Sequence, residues 1–95
     1  MRLLLISEAA REDLREVWEN VALDDEDRAD RLIDNIVEAA RRLLEWPQMG
    51  RARPDLLPDI RCLVVGRYLV FYRIRPSAIQ LVRVLHGRRD IDALF

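Results

Sequence analysis

The spacing of apolar positions along the chain changes at several points, and each change marks an element. Residues 2–6 open with an apolar run that reads as a strand. Ser7 follows with a hydroxyl suited to the free N–H groups of a helix start, and Glu8 falls in the first turn, where the helix dipole favours an acid. Ala10, Leu14, Val17, Trp18 and Val21 then recur at helical spacing, with Arg11, Glu12, Arg15, Glu16 and Glu19 on the other side. The stretch from Leu23 to Asp27 breaks this pattern and offers Asp24 as the N-cap of a longer helix. Its stripe is Ala29, Leu32, Ile33, Ile36, Val37, Ala40, Leu43 and Leu44, and it must end near Trp46 because Pro47 disfavours a helical residue before it. Two amphipathic helices joined by a short break predict an antiparallel hairpin. Trp18 and Trp46 lie on these stripes and are expected to fill core.

From Ile60 the pattern turns to β-branched and aromatic residues over 60–65, 68–75 and 78–86, separated by Gly66-Arg67 and Pro76-Ser77. This predicts a three-stranded meander, with Gly66 at the first central position of a type II′ turn. The order β-α-α-β-β-β predicts an α+β fold spanning residues 1–95 as one domain, with a helical hairpin on one face of a small, mostly antiparallel sheet.

With two-residue turns, counting outward assigns the faces. One carries Ile60, Cys62, Val64, Leu69, Phe71, Val82 and Val84, with Arg73, Arg75 and Gln80 at one end. The other carries Arg61, Leu63, Val65, Tyr68, Val70, Tyr72, Ile74, Ile79, Leu81, Arg83 and Leu85. One hairpin covers one face, so the second is expected to be open, and a large open apolar face is a binding surface. The face bearing Arg61, Tyr68, Tyr72 and Arg83 is expected to be that surface, because arginine and tyrosine among aliphatics are the residues that anchor interfaces. A C-terminal tail folded back over it is the competing expectation.

Composition narrows the function classes. Half of the 95 residues are hydrophobic and a third are charged, the mix of a folded domain, and the apolar runs fall well short of the roughly 20 residues of a membrane span. A cytoplasmic protein without membrane contact is expected. Cys62 is the only cysteine and His86 the only histidine, so neither a disulfide, a metal nor another cofactor is expected. The acids of 24–27 lack the glycine and distant glutamate of a calcium loop. Charge is segregated: residues 1–46 carry 13 acidic and 7 basic groups, residues 47–95 carry 4 and 9, and every basic residue is arginine. Arginine's planar fork suits carboxylates and phosphates.

The succession Leu43-Leu44-Glu45-Trp46-Pro47-Gln48-Met49-Gly50-Arg51, then Ile60-Arg61, then residues 66–73 (GRYLVFYR) and 83–90 (RVLHGRRD) resembles the ParE toxins of the RelE/ParE superfamily over nearly the whole chain. The resemblance implies the toxin of a type II toxin-antitoxin system that stabilises plasmids or chromosomes, silenced in a hetero-oligomer by a cognate ParD-like antitoxin. It further implies DNA gyrase as target, inhibited by protein binding and not by catalysis, with the basic tail and its Arg88 and Arg89 as the effector region. The alternatives are a RelE-like ribosome-dependent mRNA endoribonuclease and a non-toxic, antitoxin-binding relative. RelE relatives use basic residues and often a C-terminal tyrosine or histidine; Phe95 stands where that hydroxyl-bearing ring is often found, and phenylalanine cannot transfer a proton.

Overall fold

A computed structural model describes residues 2–95. β1 (Leu3–Ile6) leads into α1 (Glu8–Ala22), then α2 (Glu26–Arg41) and a short 3-10 turn, followed by β2 (Arg51–Ala52), β3 (Arg61–Val65), β4 (Tyr68–Arg75) and β5 (Ala78–His86). The expected α+β order is present with one addition, the two-residue β2. The strands form one mixed sheet in the order β1-β5-β4-β3-β2, antiparallel except for the β1–β5 pair. No described helix is long and apolar enough to cross a membrane.

The caps explain the helix boundaries. Ser7 Oγ accepts from the Ala10 N–H at 3.1 Å. The second helix is capped by Asp25, one residue later than expected, whose Oδ1 accepts from the Arg28 N–H. Both acids could cap; Asp25 takes the extended backbone that aims its side chain at the helix start, while Asp24 lies in the turn that closes the first helix. At the β3–β4 turn Gly66 has φ +59° and Arg67 has no positive φ, which excludes a type I′ turn and agrees with the expected II′ form.

The main core lies between the helices and one sheet face, where Ala10, Ile36, Ala40 and Leu43 meet Val70, Tyr72, Ile79, Leu81 and Val84. The opposite face holds a second cluster of Ile60, Cys62, Phe71 and Leu85, covered by Leu56 and Leu57 of the β2–β3 loop and by Ile91, Leu94 and Phe95 of the tail. The face assignment is therefore corrected: the face of Arg61, Tyr68 and Tyr72 is the one the helices cover, and the tail lies on the other. A β-bulge adds to the correction. The β4–β5 register runs from Arg75↔Ala78 to Tyr72↔Leu81 as counted, then skips Val82 and resumes at Phe71↔Arg83. Beyond the bulge Val84 joins the helix-side core and Leu85 the tail-side cluster, the reverse of a regular ladder.

Candidate functional site

Two of the residues expected to meet a partner brace a loop. The Tyr72 ring is fully buried; its hydroxyl donates to the Pro47 carbonyl at 2.6 Å and accepts from the Gly50 N–H at 2.9 Å. Arg61 reaches the same loop, with Nε donating to the Gly50 carbonyl at 2.9 Å and Nη2 to the Gln48 carbonyl at 3.2 Å. Their chemistry serves backbone groups that no strand or helix satisfies. The loop so held presents Met49 and Trp46, which is 64% exposed. This corrects the expectation that Trp46 fills core: the helix ends before it, so the ring leaves the buried stripe and walls a groove with Pro47, Met49 and Ile74.

Arg83 points back to α1. Its Nε and Nη2 donate to the two carboxylate oxygens of Asp13 at 2.7 and 2.9 Å, a bidentate pair in which the hydrogen bond to Asp13 and the charges of Asp13 and Glu16 hold the guanidinium above its ordinary pKa. Tyr68 packs edge-on against His86, ring centroids 5.3 Å apart. It shares a cavity with Asp13, His86 and Arg89. Thus Arg61 and Tyr72 meet at one loop, Tyr68 lies at the other end of the sheet face, and Arg83 is committed to Asp13.

Arg88 and Arg89 are exposed in the turn that follows β5. That turn is ordered by His86, whose Nδ1 accepts from the Arg88 N–H and whose carbonyl accepts from the Arg89 N–H, both at 3.0 Å, while the Gly87 N–H donates to the Arg67 carbonyl. The tail then crosses the sheet, and Phe95 packs on Phe71 at 4.8 Å. Between the sheet and the β2–β3 loop, Cys62 is buried, and desolvation pushes its thiol pKa up. Alkylation by iodoacetamide at mildly alkaline pH is expected to run roughly tenfold or more slower than in a free cysteine peptide; equal rates would show the loop and tail to be open in solution.

The sheet edge supplies a surface that counting residues did not reveal. β2 pairs only with Arg61 and Cys62, so the outer edge of β3 from Leu63 to Val65 has no strand partner among the described residues. Val64 there is 66% exposed, and a groove runs beside it between α2 and β3, lined by Asn35, Glu38, Ala39, Arg42 and Met49. An unpaired edge is a template for another strand. No run of apolar or β-branched residues marks the two-residue β2, so nothing in the sequence signals that β3 is left partly unpaired.

The family description "ParE toxin of type II toxin-antitoxin system, parDE" matches residues 4–91. The chain is 35% identical over 91 residues to Toxin ParE1 of Mycobacterium tuberculosis, covering 93% of this chain and 92% of that protein. It is 33% identical over 61 residues to Toxin ParE3 of Caulobacter vibrioides, covering 64% and 61%. Among solved structures it resembles the chromosomal ParDE TA system from P. aeruginosa (TM-score 0.78, 25% identity, covering 90% of this chain and 96% of that one). It also shares its fold with the toxin-antitoxin complex RelBE2 from Mycobacterium tuberculosis (TM-score 0.71, 22% identity, 90% and 96%) and with an E. coli RelE toxin mutant in the free state (TM-score 0.62, 17% identity, 98% and 90%).

Proposed function

This chain belongs to the ParE toxin family of type II toxin-antitoxin systems, and from that premise we propose that it is held inactive by a ParD-like antitoxin and, when free, inhibits DNA gyrase by binding it. The observation that carries the reading is the near-full-length match to the ParE family, joined to an exposed Arg88-Arg89 turn braced by His86. Binding is favoured over mRNA cleavage by where the candidate groups sit. Arg83 is spent on Asp13, Arg61 on loop carbonyls, and the His86 Nδ1 accepts from the Arg88 N–H. Phe95 brings no hydroxyl. Tyr68, His86 and Arg89 line one cavity, but the His86 Nδ1 there is engaged by the turn and Asp13 is paired with Arg83, which weighs against proton transfer at that point.

The antitoxin reading rests on the β3 edge. An extended antitoxin segment adding there would gain main-chain hydrogen bonds along Leu63–Val65, cover Val64 and enter the groove beside α2. In this reading Arg61 and Tyr72 act on antitoxin affinity through the loop that flanks this edge, and Tyr68 and Arg83 through the position of β5.

Expression without antitoxin is expected to arrest replication and induce the SOS response while transcripts stay intact, and the purified chain is expected to inhibit supercoiling by gyrase. Arg88→Ala with Arg89→Ala should weaken that inhibition by about tenfold or more while changing antitoxin affinity less than about threefold. Cleaved transcripts with intact replication would overturn the gyrase reading in favour of a ribonuclease. Absence of any growth defect despite tight antitoxin binding would point to the non-toxic relative.

A further inference from the structure

β4 ends with residues 72–75, an alternation that sends Tyr72 and Ile74 to the helix-side core and Arg73 and Arg75 to the opposite face. Both arginines meet one carboxylate. Arg73 Nε donates to Asp59 Oδ1 at 3.0 Å, and Arg75 Nη1 donates to Asp59 Oδ2 at 3.3 Å. A guanidinium carries several N–H donors in a fixed fork, and neither side chain makes another hydrogen bond among the described residues. Asp59 therefore takes one donor from each and leaves the remainder to solvent. Its side chain is 50% exposed at the end of the β2–β3 loop, so a swing of that one side chain frees the pair. A third guanidinium stands at the same strand end, where Arg2 Nε donates to the Arg75 carbonyl. Gln80, the cross-strand neighbour of Arg73, and the exposed Leu5 beside it continue this surface, on the side of the sheet away from the acidic helices.

A lone carboxylate of an acidic peptide would replace Asp59 with its like and bring no condensed counterions to release. A phosphodiester presents the same two-oxygen fork, belongs to a polyanion whose condensed counterions are released on contact, and pairs with arginine in the bidentate manner. We propose that Arg73 and Arg75 form a binding site for a phosphodiester of the DNA backbone, which Asp59 fills as an internal substitute in the free chain. Contact of this kind reads no sequence; it positions the chain on DNA. The site lies at the opposite end of β5 from Arg88 and Arg89, so it adds a second anchor and does not depend on the gyrase reading.

The test is a fluorescence-anisotropy titration of a labelled DNA duplex of arbitrary sequence with the full chain, repeated across salt concentrations. Arg73→Ala with Arg75→Ala is expected to weaken binding by about tenfold or more at low salt and to lower the slope of log K against log salt by about 1, the value for one phosphate contact. Asp59→Asn is expected to tighten binding by about threefold or more, because the substitute has lost its charge. Arg73→Lys with Arg75→Lys should keep the slope and lose part of the affinity, since lysine keeps charge without the fork. Thermal melts establish that each variant is folded; if Asp59→Asn is not, the alanine and lysine pairs decide the matter alone. An unchanged slope in the alanine pair, unchanged affinity in folded Asp59→Asn, or displacement of the duplex by poly-glutamate as readily as by unlabelled DNA of equal charge overturns the proposal. Because gyrase is absent from the assay, failure here leaves the gyrase reading standing, and failure of gyrase inhibition leaves this one standing.

Discussion

Asp13→Ala is expected to destabilise the chain by about 3 kcal/mol or more. Asp13 is 6% exposed on α1 and accepts from Arg83 Nε, Arg83 Nη2 and the Val84 N–H, the last at 2.9 Å. It thereby answers the donor side of the β5 bulge, while Ser7 answers the acceptor side: Ser7 Oγ donates to the Val82 carbonyl at 2.9 Å, and the Ser7 N–H donates to the Leu81 carbonyl. The β1–α1 junction thus clamps the irregular point of the strand. Alanine would leave a partly buried guanidinium without its counter-charge and a buried N–H without an acceptor. The check is urea denaturation of Asp13→Ala, Arg83→Met and the double variant. The double variant should lose less than the sum of the singles, because removing Arg83 also removes the unpaired charge. Strict additivity would show that the pair does not act as a unit. Hydrogen exchange should locate the loosening at Arg83–His86, the segment that carries the Arg88-Arg89 turn.

Asp13 also shows what could and could not be seen in the sequence. It stands three residues after Ala10 and four before Val17, so an acid occupied the buried stripe of α1 in plain view. Its meaning was hidden because its partner is seventy residues away. The element order, the helix stripes and the II′ turn were legible because each rests on neighbours in the chain. The sheet faces were legible only as far as the bulge. Alternation counts residues, and a bulge whose backbone groups are met by Ser7 and Asp13 of another part of the chain adds one without local warning; Val84 and Leu85 exchange faces as a result. The same limit governs the candidate residues. Arg61 and Tyr72 meet at one loop while Tyr68 and Arg83 lie elsewhere, and which face the helices would cover was not decided by patterning, since both faces are apolar. The two-sided apolar sheet was read correctly, and the tail, with Ile91, Leu94 and Phe95, supplies the second cover. The binding surface is consequently sought at the β3 edge and on the exposed arginines, where pairing and charge are left over.

Gly50→Ala is expected to cost about 3 kcal/mol and to lower antitoxin affinity with it. A Cβ built on Gly50 would lie 2.6 Å from Tyr72 Cε1 and from the Tyr72 hydroxyl, and 2.9 Å from the Cys62 carbonyl oxygen. The ring cannot yield, because it is fully buried in the main core, and the carbonyl belongs to β3. The loop must move instead, giving up the Gly50–Tyr72 and Gly50–Arg61 hydrogen bonds that hold it. β2 begins at the next residue and Met49 lines the groove beside β3, so displacement of this loop disturbs one side of the edge proposed for the antitoxin. Tyr72→Phe separates the two contributions: it removes the hydroxyl bonds while relieving part of the clash. Gly50→Ala with Tyr72→Phe should therefore be less destabilised than the sum of the single variants. Calorimetric melts and an antitoxin titration on the same samples measure both effects. A Gly50→Ala chain that melts like the parent would show the loop free to shift and would remove the link drawn between Tyr72 and the β3 edge.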